Sequence, residues 1–165
     1  MREFLEGRRF GFALRPPLGG LALGLGFAVT ILDLMAWFGW GSRDTNGFVI
    51  GAYWLAIATA IVALLATITS LVEMGDVATD DRSLARLDVA AAGVATLLYL
   101  VTAALRSFEL GSAAALPLAF LLAIAGLAVL IVGSVLASLL YAAREWEEIE
   151  EVAHERHRRR RMAAH

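Results

Sequence analysis

PLGGLALGLGFAVTILDLMAWFGW, Pro17 to Trp40, is a 24-residue apolar run that carries one charge, Asp33. About 20 such residues, rising 1.5 Å each as a helix, cross a hydrocarbon core of about 30 Å, so the run reads as a membrane span. An ionisable group inside it is a functional-site hypothesis by default.

The whole chain fits that solvent. Of its 165 residues 59% are hydrophobic and 18% charged, and the mean hydropathy is +0.71. A water-soluble domain of this size has no interior large enough to hide so much apolar surface. There is no cysteine, which excludes disulfides, thiolate metal sites, Cys-ligated iron–sulfur clusters and thiol nucleophiles. All 14 basic residues are arginine, a pattern read as high-GC coding bias. The first apolar run is too long for the h-region of a cleavable signal and is expected to remain.

Four spans are predicted, at about 17–40, 48–73, 86–106 and 115–141. Pro117 falls in the opening turn of the fourth, where its missing N–H costs little, and Gly111-Ser112 offers a turn and a candidate N-cap. Arg86 and Asp88 mark the start of the third span and Arg106 its end. Twelve arginines fall in the N-terminal segment, the 74–86 loop and the tail, against Arg43 and Arg106 in the other two loops. The positive-inside rule then places both termini in the cytoplasm.

On each span the small and polar residues fall on one stripe in steps of three and four. The stripes are Gly19, Ala22, Gly26, Thr30, Asp33, Trp37 and Trp40; Ala52, Ala56, Thr59, Ala63, Ala66, Ser70 and Glu73; Asp88, Ala92, Ala95, Tyr99, Thr102 and Arg106; and Ala119, Ala123, Gly126, Leu130, Gly133 and Ala137. This spacing holds one face toward neighbouring helices, and small residues on it let backbones approach closely. Gly19, Gly26, Gly126 and Gly133 are the expected packing glycines, and Gly20-x-x-x-Gly24 lies off the first stripe. Short connections make sequential antiparallel neighbours. The expected fold is an all-α, up-down-up-down four-helix transmembrane bundle, N-in and C-in. It comprises an interfacial segment at 1–16, a membrane domain at 17–141 and a charged cytoplasmic helical tail at 142–165.

Asp33 lies seven residues before Trp40, roughly 10 Å from the outer end of a helix. An ionised Asp in hydrocarbon costs about 2.5–3.5 kcal/mol on insertion scales, so it must find donors or a proton. Tyr53, Tyr99 and Thr102 lie at matching depth, and an intramembrane polar cluster of Asp33, Tyr53, Tyr99 and Thr102 is expected. At the inner end, Glu73, Asp76 and Asp88 face Arg15, Arg82, Arg86 and Arg144, and the expectation is a solvated interfacial network of ion pairs. No metal is expected there, since His and a tight carboxylate set are lacking.

Trp37, Trp40, Trp54 and Phe48 form an aromatic belt at the outer boundary, and Trp146 lies beyond the inner one. His154, His157 and His165 all lie in the tail, so a haem held by histidines of the spans is excluded and no cofactor is expected. The tail is acidic over 145–155 and basic from Arg156 to Arg161; it reads as a solvated helix, with docking on anionic lipid or an acidic partner as the alternative and no nucleic acid expected. Phe4, Leu5, Phe10 and Phe12 with Arg8 and Arg9 read as a short interfacial segment.

Three segments carry a likeness: Ile31-Leu32-Asp33-Leu34 late in the first span, Ser70-Leu71-Val72-Glu73-Met74-Gly75-Asp76 closing the second, and a glycine-bearing fourth span ending Leu139-Leu140-Tyr141. In these the chain resembles the bacterial four-helix membrane family DUF2231. Members of that family often open the first span with His-Pro. Here the matching stretch is Arg15-Pro16-Pro17-Leu18, so no redox role is carried over.

The functional expectation is a non-enzymatic protein of the bacterial cytoplasmic membrane. It would be an accessory or scaffold bundle that binds lipid, a membrane-protein partner or further copies of itself. The alternative is a small carrier of a proton, an ion or a lipophilic molecule, with Asp33 as the titrating group.

Overall fold

The computed structural model describes residues 14–76 and 81–163, with side chains placed over 14–75 and 81–140. Their regular structure is all helical, with no strand among the described residues: α1 (Arg15–Trp37), α2 (Gly47–Glu73), a 3-10 turn (Met74–Asp76), α3 (Arg82–Ser107) and α4 (Pro117–Ala163). Each of α1, α2, α3 and the Pro117–Leu140 part of α4 is long and apolar enough to cross a membrane.

Local chemistry sets the ends. Pro16 and Pro17 occupy the first turn of α1, where no intrahelical N–H is required of them. This helix stops at Trp37, three residues short of the expected Trp40, because Gly39 and Gly41 take left-handed backbone at φ 77° and 93° and turn the chain. Asn46 opens α2, its side-chain oxygen accepting the Phe48 N–H at 3.0 Å. Its Nδ2 donates to the carbonyls of Trp40 and Ala113, each at 2.8 Å, so one buried amide ties two connections together.

α3 begins at Arg82, ahead of the apolar span at about 86–106, with Arg82, Ser83 and Arg86 on an exposed turn that hydropathy alone does not register. One expectation is corrected. Ser112 is not the N-cap of α4. Its hydroxyl lies 2.8 Å from the carbonyls of Glu109 and Ala114, while Glu109 Oε2 accepts the Leu116 N–H at 2.9 Å ahead of Pro117.

α1 packs on α2, α2 on α3, α3 on α4, and α4 back on α1, so α1 and α3 stand diagonally across a ring of four. The interior is made of small side chains, among them Ala22, Ala56, Ala63, Ala95 and Ala123. Large ones such as Leu21, Ile31, Leu97 and Leu121 point outward. That distribution inverts a water-soluble domain and is what close helix packing without a hydrophobic drive requires. The stripe residues of α3 and α4 are all buried, as are those of α2 from Ala52 to Ser70. On α1, Ala22, Gly26 and Asp33 are buried, Gly19 and Thr30 half-buried, and Trp37 and Trp40 exposed. The expected interfacial segment of Phe4 to Phe12 lies outside the described residues, as do the side chains of Trp146, the tail and its histidines.

Candidate functional site

The most polar part of the interior is a pair of ion pairs. Near the end of α3, Arg106 Nη1 donates to Asp33 Oδ1 at 2.6 Å and Nη2 donates to Oδ2, a two-pronged pair with both side chains at 0% exposure. Two charges removed from water repay their desolvation only with close geometry and satisfied lone pairs, which the planar guanidinium fork supplies. Asp33 lies one turn before the end of α1, shallower than the sequence-based depth because the helix stops at Trp37.

This corrects the expected polar cluster. Tyr53, Tyr99 and Thr102 make no hydrogen bond to Asp33; Arg106, expected at a loop boundary, does. Tyr53 is half-buried and sets its ring edge-on to Trp54 at 5.1 Å. Thr102 is buried one turn before Arg106, and neither its Oγ1 nor Arg106 Nε has a hydrogen-bond partner among the described residues.

At the opposite end, Arg15 Nε donates to Asp88 Oδ2 at 3.1 Å and Nη2 to Oδ1 at 2.5 Å. Ser70 Oγ adds a third donor to Oδ2 at 2.9 Å, and the ionic side chains are 5% exposed. Gly19 leaves the space this requires, since a Cβ there would stand 2.7 Å from Arg15 Nη1. The expected solvated network is therefore, for Arg15 and Asp88, a buried triad. Arg82 and Arg86 are exposed and Glu73 is half-buried; the side chains of Asp76 and Arg144 lie outside the described residues.

Both pairs link residues 73 positions apart. The step from Arg15 to Asp33 along α1 thus equals the step from Asp88 to Arg106 along α3, 18 residues or roughly 27 Å. The polarity is reversed: α1 carries its cation first and α3 its anion first. Eighteen residues make about five helical turns, so each helix returns both charges to one face. That equal spacing was present in the sequence and is the signal that could have found the pairs.

Between the two ion pairs Tyr99 fills the core. Its hydroxyl donates to the Ala123 carbonyl at 3.3 Å, and two glycines make room for it. A Cβ on Gly26 would stand 2.5 Å from its Oη and one on Gly126 2.8 Å from its Cε2. At Gly133, by contrast, a Cβ would meet Ala91 at 3.5 Å, an ordinary contact, so no close approach requires glycine there. Trp37 Nε1 donates to the Ala115 carbonyl at 3.2 Å, and its ring lies 5.3 Å from that of Phe120, joining α1 to the entry of α4.

No protein-family model, curated protein or solved structure matches this chain. The site is read from its own geometry. Both oxygens of Asp33 and both of Asp88 are held by a guanidinium, and among the described residues no three histidine, aspartate or glutamate side chains gather as metal ligands.

Proposed function

We propose that the protein is a non-enzymatic integral membrane scaffold, a four-helix bundle of up-down-up-down course braced internally by its two ion pairs. The observation that carries this reading is that the two buried aspartates among the described residues, Asp33 and Asp88, are engaged by buried arginines. A carrier needs a group that gains and loses its ligand during transport, and Asp33 is clamped on both oxygens. A brace needs fixed contacts, and here both oxygens of each aspartate are held by a guanidinium.

Several features support the membrane setting. Large apolar side chains face outward, and Trp40, Trp54, Phe38 and Phe108 are exposed at one end as an aromatic belt would be. The pairs stand roughly 27 Å apart along the helices, close to a hydrocarbon thickness of about 30 Å. They join beginning to beginning and end to end of α1 and α3, as an up-down-up-down course requires. With Arg106 and Arg15 withdrawn into the bundle, eleven arginines remain on the side of the termini against Arg43, which favours both termini in the cytoplasm.

Reconstitution into sealed vesicles tests this reading. The scaffold is expected to give no proton or cation flux above protein-free vesicles and to elute from a mild detergent as an oligomer or a stoichiometric complex. Flux that disappears in a folded Asp33→Asn variant would establish the carrier instead.

A further inference from the structure

The wall between α1 and α4 is the loosest of the four, and near Arg15 it opens into a cleft of about 210 Å³. Arg15, Gly19 and Gly20 of α1 and Ser134 and Ser138 of α4 line it. Arg15 is only 4% exposed, and Asp88 engages its Nε and Nη2. Its Nη1, with two N–H donors, has no acceptor among the described residues. The Ser134 hydroxyl likewise makes no hydrogen bond there, while Ser138 Oγ donates back to the Ser134 carbonyl. A smaller void of about 20 Å³, bounded by Arg15, Ala66, Ala92 and Gly133, continues the cleft toward the core.

A guanidinium Nη1 with no acceptor among the described residues, at the edge of an apolar bundle, is suited to an anionic acceptor with several oxygens. Such an acceptor arrives here from the side, between outward-facing leucines: Leu21 follows Gly20 and Leu139 follows Ser138, both more than half exposed. A free anion would have no use for those leucines, whereas a phospholipid sets acyl chains on them while its phosphate reaches Nη1 and Ser134. We propose that this cleft binds the phosphate headgroup of an anionic phospholipid. A headgroup without its own ammonium is favoured, because its phosphate charge is not already neutralised. The site rests on the membrane placement proposed above.

Native mass spectrometry of the full chain in detergent, loaded with phosphatidylglycerol, phosphatidylcholine or inorganic phosphate, tests the site. One phosphatidylglycerol is expected to be retained in preference to phosphatidylcholine, by less than the roughly five-fold that an uncompensated cation near an anionic lipid gives, because Asp88 already neutralises much of the Arg15 charge. Gly20→Leu fills the cleft without a clash, as nothing lies within 4 Å of a Cβ there, and is expected to abolish retention. Ser138→Leu narrows the cleft from α4 and gives the same result independently should Gly20→Leu fail to fold. Equal retention of both lipids, retention untouched by these variants, or displacement of the lipid by millimolar phosphate would overturn the site. Alkaline extraction of membranes separates the two levels. A chain that stays embedded but ignores the headgroup loses only this site, whereas a chain released by alkali loses the membrane placement as well.

Discussion

Asp33 of α1 and Arg106 of α3 form a two-pronged, fully buried ion pair across the diagonal of the bundle, between helices that are not side-by-side neighbours. Sliding α1 by one turn would carry Asp33 about 5.4 Å away from Arg106 and expose both charges to an apolar wall.

Removing one partner is therefore expected to cost more than removing both. Asp33→Asn or Arg106→Gln alone leaves a buried charge uncompensated and should destabilise by about 3–5 kcal/mol. The double replacement Asp33→Leu with Arg106→Met should stay within about 1–2 kcal/mol of the parent, as buried pairs exchanged for apolar ones often do. Thermal unfolding in detergent reads both.

Tyr99 supplies a sharper packing test. Gly26→Ala places its methyl against the hydroxyl and Gly126→Ala against the ring, and each should cost about 1–3 kcal/mol by overpacking. In a Tyr99→Phe background the Gly26→Ala penalty is expected to shrink, because the atom it meets is gone. The Gly126→Ala penalty should persist, since the ring remains. Equal relief at both positions would contradict the packing described here.

Asn46 joins two connections through its amide nitrogen and caps α2 through its oxygen. Aspartate caps as well as asparagine but cannot donate to the Trp40 and Ala113 carbonyls. Asn46→Asp is thus expected to be at least as damaging as Asn46→Ala, a loss of about 1–2 kcal/mol measurable in the same unfolding assay. A stable Asn46→Asp variant would show that capping alone accounts for this residue.

The absence of native cysteine makes the orientation directly measurable. Ser42→Cys, in the exposed α1–α2 connection, should react with an impermeant maleimide added to intact cells. Arg82→Cys, at the exposed start of α3, should react only after the membrane is opened. The reverse pattern would invert the topology.

Much of the packing was legible in the sequence because membrane helices sort by size. Small residues in steps of three and four marked the faces that turn inward, from Ala52 to Ser70, from Asp88 to Arg106 and from Ala119 to Ala137. The charges were harder. Hydropathy treats an arginine as the end of a span and so sets Arg106 at a boundary, although it shares the inward stripe with Tyr99 and Thr102. Depth matching then offered Asp33 only neutral donors. The equal 18-residue steps from Arg15 to Asp33 and from Asp88 to Arg106 mark the pairs in the sequence. They gain that meaning only once α1 and α3 are known to face one another diagonally, which follows from packing rather than from either helix alone. The early stop of α1 was likewise hidden, since Phe38 and Trp40 prolong the apolar run past the turn that Gly39 and Gly41 impose.

The brace is tested most directly by reversing it: Asp33→Arg, Arg106→Asp and the two combined, each followed by thermal unfolding in detergent. Each single change sets like charges together in the core and should collapse stability or prevent folding. The combined change restores an opposite-charge pair at the same place and is expected to recover most of the loss. A combined variant no more stable than the singles would mean that Asp33 and Arg106 do not act as a pair, and the internal brace would have to be abandoned.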